Sequence, residues 1–257
     1  MRIVTLVENT ACASNCQQEH GLSLYLETGN HKILFDMGQS DAFARNAEKL
    51  GIDLSQVDFA VLSHGHYDHG GGLETFLKIN AKAPVYIHNQ AFGEHYNAAG
   101  KYIGLNTGLQ QEPRLHFAAG TSIPAPGMKL TDCNDLEWDF SPWGLSCRKN
   151  GLVSPDDFLH EHYLLITEGQ KRILISGCSH KGIVNLAEHF KPDVLVGGFH
   201  LNKEKNTAVL TEIAQGLKKT DTQYYTGHCT GDLQFDVMKQ ILGSKLERIT
   251  TGTVIEV

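Results

Sequence analysis

The chain has 257 residues, 41% of them hydrophobic and 20% charged, a balance that argues against an intrinsically disordered protein. Its formal net charge of −7 weighs against general nucleic-acid binding, because proteins that bind duplex phosphates are more often basic. We find no signal-peptide pattern and no apolar run of the ~20 residues that a membrane span requires, so we expect a cytoplasmic protein with no membrane partner.

Short apolar runs alternate along the chain with segments of helical spacing. The apolar runs predict strands at 3–7, 22–27, 32–35, 57–62, 84–87, 162–167, 172–176, 193–196, 223–225 and within 247–257. Helical spacing predicts helices at 41–50, 73–79, 183–190, 206–218 and 233–242. The segment 92–154 is rich in Gly, Pro, Asn and Thr, which predicts short strands and loops that cover a site. No linker is evident, so we expect a single α/β domain over 1–257 with helices outside one or two sheets.

Several of the 14 histidines follow predicted strands directly. His64 and His66 follow one strand, and His180, His200 and His228 each follow another. In open α/β sheets, binding sites gather at the carboxyl ends of strands. We therefore expect these imidazoles to converge on one region.

The segment 64–69 has the sequence His-Gly-His-Tyr-Asp-His. Residues two apart in an extended chain point to the same side, so His64 and His66 can bind one ion. Asp68 and His69 follow in the turn, and imidazole and carboxylate are ligands that zinc accepts. One isolated histidine would be read as a surface or core residue, but this cluster predicts a metal site.

Further ligands are expected from the other strand ends. We predict His180 and His228 as ligands because of their positions. Cys178 is either a ligand or a small buried hydrophobe. His200 is a candidate ligand, substrate contact or proton donor, and no role is assigned to Cys229.

The remaining histidines have weaker signals. From the residues alone, surface or core roles are preferred for His20, His88, His160 and His162, and no signal can be interpreted for His31, His95, His116 and His189.

The segment HGHYDHGGG resembles the His-x-His-x-Asp-His signature of the metallo-β-lactamase superfamily. The segment LFDMG around Asp36 is similar to an earlier motif of that superfamily. With EHGLSLYL, SGCSHKGI, GGFHL and TGHCTG, the chain resembles a branch named for dihydropterin-ribofuranosylaminobenzene phosphate synthase. The resemblance implies a four-layer αββα sandwich in which Asp36 supports the metal site.

The resemblance also implies two metal positions. His64 and His66 would hold one ion, and Asp68, His69 and His228 would hold a second.

The chain departs from the superfamily pattern at one point. The carboxylate that often bridges the two metals follows a strand and a glycine, but here Gly177 is followed by Cys178. One or two ions therefore both remain open, and we predict that His180 supplies the third histidine of the first position. Zinc is expected, with iron or manganese as alternatives.

The predicted function is hydrolysis of a small, anionic ester or phosphoester by a metal-activated water. Asp68 would orient the water and pass on its proton, and His200 would donate a hydrogen bond or proton to the substrate. His20, placed near the site by the resemblance, and Lys181 are candidate substrate-binding residues. The alternative for Lys181 is a solvated lysine at a helix start.

Two other functions remain open. The name of the branch implies a transferase or synthase acting on a pterin or ribosyl phosphate. A non-catalytic metal-containing binding protein is the third hypothesis, and the oligomeric state is not predicted.

Overall fold

Two seven-stranded sheets form the centre of the computed structural model, which describes residues 1–12 and 15–257. The strands are β1 (Arg2–Val7), β2 (Ser23–Glu27), β3 (Lys32–Phe35), β4 (Phe59–Val61), β5 (Val85–His88), β6 (Glu94–Tyr96), β7 (Leu115–Ala118), β8 (Thr121–Ser122), β9 (Met128–Thr131), β10 (Ser146–Lys149), β11 (Leu152–Pro155), β12 (Tyr163–Glu168), β13 (Lys171–Ser176), β14 (Val194–Val196), β15 (Gln223–Thr226), β16 (Leu246–Arg248) and β17 (Val254–Glu256). The helices are α1 (Ala42–Lys49), α2 (Tyr67–Gly70), α3 (Leu73–Ile79), α4 (Ile183–Phe190), α5 (Thr207–Lys218) and α6 (Asp232–Leu242).

Each large sheet is part antiparallel and part parallel. The first has the order β17-β1-β2-β3-β4-β5-β7, antiparallel as far as β3 and parallel from β3 to β7. The second has the order β16-β15-β14-β13-β12-β9-β8, parallel from β16 to β13 and antiparallel beyond. A small sheet, β11-β10-β6, lies apart from both.

Apolar side chains divide the molecule into four layers. One buried cluster joins side chains of β1 to β4 with those of β9 and β12 to β14, so the two large sheets pack face to face. A second cluster packs α1 and α3 on the first sheet, and a third packs α4, α5 and α6 on the second. The αββα sandwich implied by the resemblance is therefore confirmed.

The parallel halves of the two sheets position the site. Parallel strands end on the same side of a sheet, so the residues after β3, β4, β13, β14 and β15 meet at one rim. The residues after these five strands include most of the predicted ligands.

The segment 92–154 shows where sequence reasoning was incomplete. It contains the short strands that were expected, but β7 extends the first sheet and both β8 and β9 extend the second. These strands have only two to four residues each, too few to show a hydrophobic period.

Within the described residues, no helix has both the length and the apolar character needed to cross a membrane.

The packing between the sheets gives a test of the fold. Leu164→Ala removes a fully buried side chain of the inter-sheet cluster, so the free energy of unfolding should fall by about 2–5 kcal/mol. Leu152→Ala is the matched control, because that side chain is 75% exposed and its loss should cost less than about 0.5 kcal/mol. Urea unfolding measures both, and equal effects of the two substitutions would contradict this layer arrangement.

Candidate metal centre

Polar side chains that follow five strands lie at one rim of the sandwich. Asp36 follows β3, His64 follows β4, Cys178 follows β13, His200 follows β14 and His228 follows β15. All but His200 are buried, although each is polar or ionisable. Buried polar groups need partners, so the hydrogen bonds of this rim decide what it can bind.

The carboxylate of Asp36 organises the first two imidazoles. It accepts the backbone N–H and the hydroxyl of Ser63, each at 2.7 Å, and it accepts Nδ1–H of His69 at 2.7 Å. Because the Ser63 hydroxyl proton goes to Asp36, the Ser63 oxygen must accept from His64 Nδ1, 2.8 Å away. His64 therefore keeps a lone pair on Nε2, the form that binds a metal. Burial opposes protonation of His69, but Asp36 and Asp68 raise its pKa, so an ion must displace any proton on His69 Nε2 when it binds.

His228 is oriented in the same way by the N-terminal strand. Its Nδ1 lies 3.0 Å from Oδ1 of Asn9, and its backbone N–H donates to Glu8 Oε1 at 2.5 Å. Since an amide oxygen can only accept, His228 Nδ1 carries the proton and Nε2 keeps its lone pair.

These lone pairs meet at very short range. His69 Nε2 lies 3.2 Å from His228 Nε2 and 3.2 Å from Cys178 Sγ, and Asp68 Oδ2 lies 3.3 Å from His228 Nε2. Two nitrogen ligands of a tetrahedral zinc ion with bonds of ~2.0–2.1 Å are about 3.3 Å apart. Facing lone pairs repel each other unless a proton or a metal cation lies between them, and the spacing matches that of two ligands on one metal ion. This is the second of the two predicted positions.

The first predicted position lies beside it. The rings of His64 and His66 are 4.5 Å apart, and the His180 ring lies 4.9 Å and 5.3 Å from them. Nε2 of His64, Nε2 of His66 and both ring nitrogens of His180 are buried without a hydrogen-bond partner. Such orphaned nitrogens also fit a cation.

Cys178 stands between the two positions. Its sulfur lies within 4.8 Å of ligand atoms of His64 and His180, and it belongs equally to the group formed with His69 and His228. Gly177 allows this approach, because a Cβ there would lie 2.2 Å from the Ser63 hydroxyl. The Cys178 thiol therefore lies close enough to both predicted metal positions to be a ligand at either one.

The charge states of the site suit metal binding. Burial lowers the pKa of His64, His66 and His180 well below the ordinary value, so these imidazoles are neutral at neutral pH. Burial opposes ionisation of Asp68, but His69 and hydrogen bonds from neighbouring imidazoles hold its pKa well below the ordinary carboxyl value. Burial raises the pKa of the Cys178 thiol, so an ion must displace its proton on binding.

The two histidines predicted to act outside the metal positions also lie here. His20 is half-exposed, and its Nε2 lies 3.2 Å from Asp68 Oδ2. The His200 ring is 4.2 Å from the His180 ring and lines a cavity of about 190 Å³. Both are therefore adjacent to the predicted ligands.

Lys181 is placed differently from its neighbours. Its ammonium is buried and donates to the carbonyl oxygen of Asp132 at 2.5 Å and to Asn134 Oδ1 at 2.7 Å. The alternative of a solvated lysine is wrong, because the side chain is only 2% exposed. Binding of a substrate phosphate by Lys181 stays a prediction, and it would require these hydrogen bonds to break.

Sequence reasoning missed a group that supports the His64-Gly65-His66 segment. The backbone N–H of Gly65 donates to His160 Nδ1 at 2.9 Å, so the proton of His160 is on Nε2, 3.5 Å from Asp156. Asp156 also accepts Nδ1–H of His95 at 2.8 Å, which leaves a buried lone pair on His95 Nε2. His160 precedes a strand, and His95 lies in the irregular segment, so no strand-end signal marked them.

Comparisons with known proteins show the family to which this chain is related. The family model described as the metallo-beta-lactamase superfamily matches residues 17–228. The chain is 34% identical to an uncharacterised protein of Methanocaldococcus jannaschii, over 89% of this chain and 90% of that protein. It is 28% identical to the 7,8-dihydropterin-6-methyl-4-(beta-D-ribofuranosyl)-aminobenzene-5'-phosphate synthase of the same organism, over 100% of this chain and 96% of the synthase. A crystal structure of a metal-dependent hydrolase of the beta-lactamase superfamily is similar with a TM-score of 0.83 and 28% identity, covering 100% and 99% of the two chains.

The role of Asp36 can be tested by replacement. Asp36→Asn keeps the shape but removes the charge that fixes the tautomers of His64 and His69, so zinc affinity should fall about 10–100-fold. Competition with a chromophoric chelator measures the affinity. Asp58→Asn, at a half-exposed carboxylate, is the control. Unchanged zinc affinity in a folded Asp36→Asn variant would refute this role.

The buried neutral histidines predict how stability depends on pH. Burial lowers the pKa of His162 to about 3, so the unfolded chain binds protons more readily than the folded chain below an unfolded pKa of ~6.5. The free energy of unfolding of metal-free protein should therefore fall between about pH 7 and about pH 5, with roughly 1–2 kcal/mol from this residue.

The contribution of His162 is isolated by substitution. His162→Gln should reduce the pH-dependent loss by that amount, whereas His116→Gln, at an exposed position, should keep the wild-type loss. Urea unfolding at the two pH values measures both. An identical loss in wild type and His162→Gln would contradict the assignment.

Proposed function

Because this chain belongs to the metallo-beta-lactamase superfamily, we propose that it is a metal-dependent hydrolase of a small, anionic ester or phosphoester. The proposal is supported by its similarity to a structure described as a metal-dependent hydrolase. Its chemical basis is the set of converging imidazole, carboxylate and thiol groups at the rim.

The observation that carries the proposal is the 3.2 Å separation of His69 Nε2 and His228 Nε2, beside Asp68 and Cys178. When both imidazoles are neutral, a cation between them makes this arrangement favourable, and Asp68 adds a carboxylate. We assign zinc in preference to iron or manganese, because the thiol of Cys178 is a soft ligand. Two positions are proposed, one at His69, His228 and Asp68 and one at the group of His64.

A bound divalent ion supplies a Lewis acid and lowers the pKa of a water molecule to ~7. The ionised Asp68 carboxylate faces His228 and His20 through Oδ2 and is placed to orient an attacking water and to accept its proton at the oxygen that does not bind the ion. His20, hydrogen-bonded to the same oxygen, holds that carboxylate in position. His200 can donate a hydrogen bond to the substrate from the floor of the adjoining cavity.

The cavity indicates the size and character of the substrate. Its volume is about 190 Å³, and Phe140, Trp143 and Phe199 line it together with His180 and His200. A small molecule with one apolar or planar part fits this lining, with its reacting group toward the histidines. The charge of the bound ions favours an anionic reacting group.

A synthase reaction on a pterin or ribosyl phosphate is the second candidate. It is favoured by the 28% identity to the Methanocaldococcus jannaschii synthase over the whole of this chain. Identification of the product separates the two, because hydrolysis adds water to the substrate and a transferase joins two substrates.

The hydrolase proposal is tested with zinc-loaded protein and a panel of phosphomonoesters, phosphodiesters, carboxylic esters and thioesters. His66→Ala should lower kcat/KM on any substrate found by more than about 100-fold, because it removes a predicted ligand. His116→Ala, at an exposed histidine of β7, should leave kcat/KM unchanged. Full activity of His66→Ala would sink the proposal.

A further inference from the structure

A second thiol lies beside Cys178 and has no part in the proposed hydrolase site. Cys178 follows β13 and Cys229 follows β15, and both are only 3% exposed. Their sulfur atoms and a ring nitrogen of His200 all lie within 4.8 Å of one another. Three metal-ligating side chains from three strand ends thus meet at one point.

The backbone is shaped around the sulfur of Cys229. The backbone N–H of His200 donates to this sulfur at 3.2 Å, a bond that stabilises a thiolate. A Cβ on Gly198 would lie 2.4 Å from the sulfur, so only glycine leaves room for it. His200 adopts a left-handed conformation with φ of 49°, which is costly for a residue other than glycine.

A polar atom in this group lacks a partner. Nδ1 of His200 is buried and makes no hydrogen bond. An imidazole nitrogen buried without a partner costs free energy, and a cation removes that cost. The group therefore shows both a ligand set and an unsatisfied atom.

Two thiols and one imidazole are ligands preferred by thiophilic divalent ions such as zinc and cadmium. We propose that Cys178, Cys229 and His200 bind such an ion, at a position additional to the two of the proposed hydrolase site. Binding leaves two thiolates on the ion and releases to solvent the protons that the two sulfurs carried before binding. The other ring nitrogen of His200 stays free to donate to a substrate.

Cys178 connects this position with the others. Its sulfur is also 3.2 Å from His69 Nε2, so one thiolate would be shared between neighbouring ions. The ion would tie the loop after β14 to the loop after β15, which carries His228. The proposal needs Cys178 as a ligand but does not depend on any hydrolytic activity.

The test uses the full chain, reduced and metal-free, titrated with cadmium. Equilibrium dialysis with elemental analysis counts bound ions, and sulfur-to-cadmium charge-transfer absorbance reports thiolate ligands. Cys229→Ser should bind about one ion fewer than wild type and show about half of its charge-transfer absorbance, because one of two thiolates is lost. Cys147→Ser, at another buried thiol, should match wild type in both.

Two further variants keep the result unambiguous. His200→Ala retains both thiols and should lower the affinity for the additional ion at least about tenfold. This variant tests the proposal if Cys229→Ser does not fold. Asp68→Asn, a change at the proposed hydrolase site, should keep the absorbance assigned to Cys229.

Equal ion counts and equal absorbance in wild type and folded Cys229→Ser would overturn the proposal. So would wild-type affinity for every bound ion in His200→Ala. A protein that hydrolyses none of the ester panel but loses one ion in Cys229→Ser would support this site and refute only the hydrolase proposal.

Discussion

One buried carboxylate, that of Asp36, fixes which nitrogen of the neighbouring imidazoles is free. It is fully buried, and the Ser63 amide, the Ser63 hydroxyl and His69 Nδ1–H satisfy its oxygens. A buried carboxylate is tolerated only when it is hydrogen-bonded in this way. The same bonds point His69 Nε2 toward the site and, through Ser63, do the same for His64. The candidate metal centre therefore depends on a residue that lies behind its ligands.

Several residues at this rim have strained backbone conformations or buried polar atoms, both of which cost free energy. Asp36, Ser179, His200 and His228 all have φ near +50° to +60°, although such conformations cost about 1–3 kcal/mol in residues other than glycine. Each follows a strand of a well-packed sheet, so the burial of apolar surface elsewhere offsets the cost. Clusters of buried, unpartnered imidazole nitrogens add to it.

Sequence reasoning reached the fold and the strand ends, because both have local signals. The alternation of strands and helices follows from apolar periods, the αββα order was implied by the family resemblance, and His64 and His66 were recognisable by spacing and by the strand before them. The support for these residues has no such signal. Asn9 orients His228, and Asp156 orients His95 and His160, through contacts between parts of the chain far apart in sequence. Neither a substrate contact nor a solvated lysine describes the hydrogen bonds of Lys181, because its buried partners, in the loop after β9, lie in the segment whose strands were too short to predict.

The imidazole nitrogens of this rim are expected to converge on a cation. A zinc-loaded crystal, measured by anomalous diffraction above the zinc edge, tests this convergence most directly. We predict an anomalous peak about 2.0–2.1 Å from both His69 Nε2 and His228 Nε2. No peak at this rim, or a zinc ion bound elsewhere while His69 Nε2 and His228 Nε2 remain free, would contradict it.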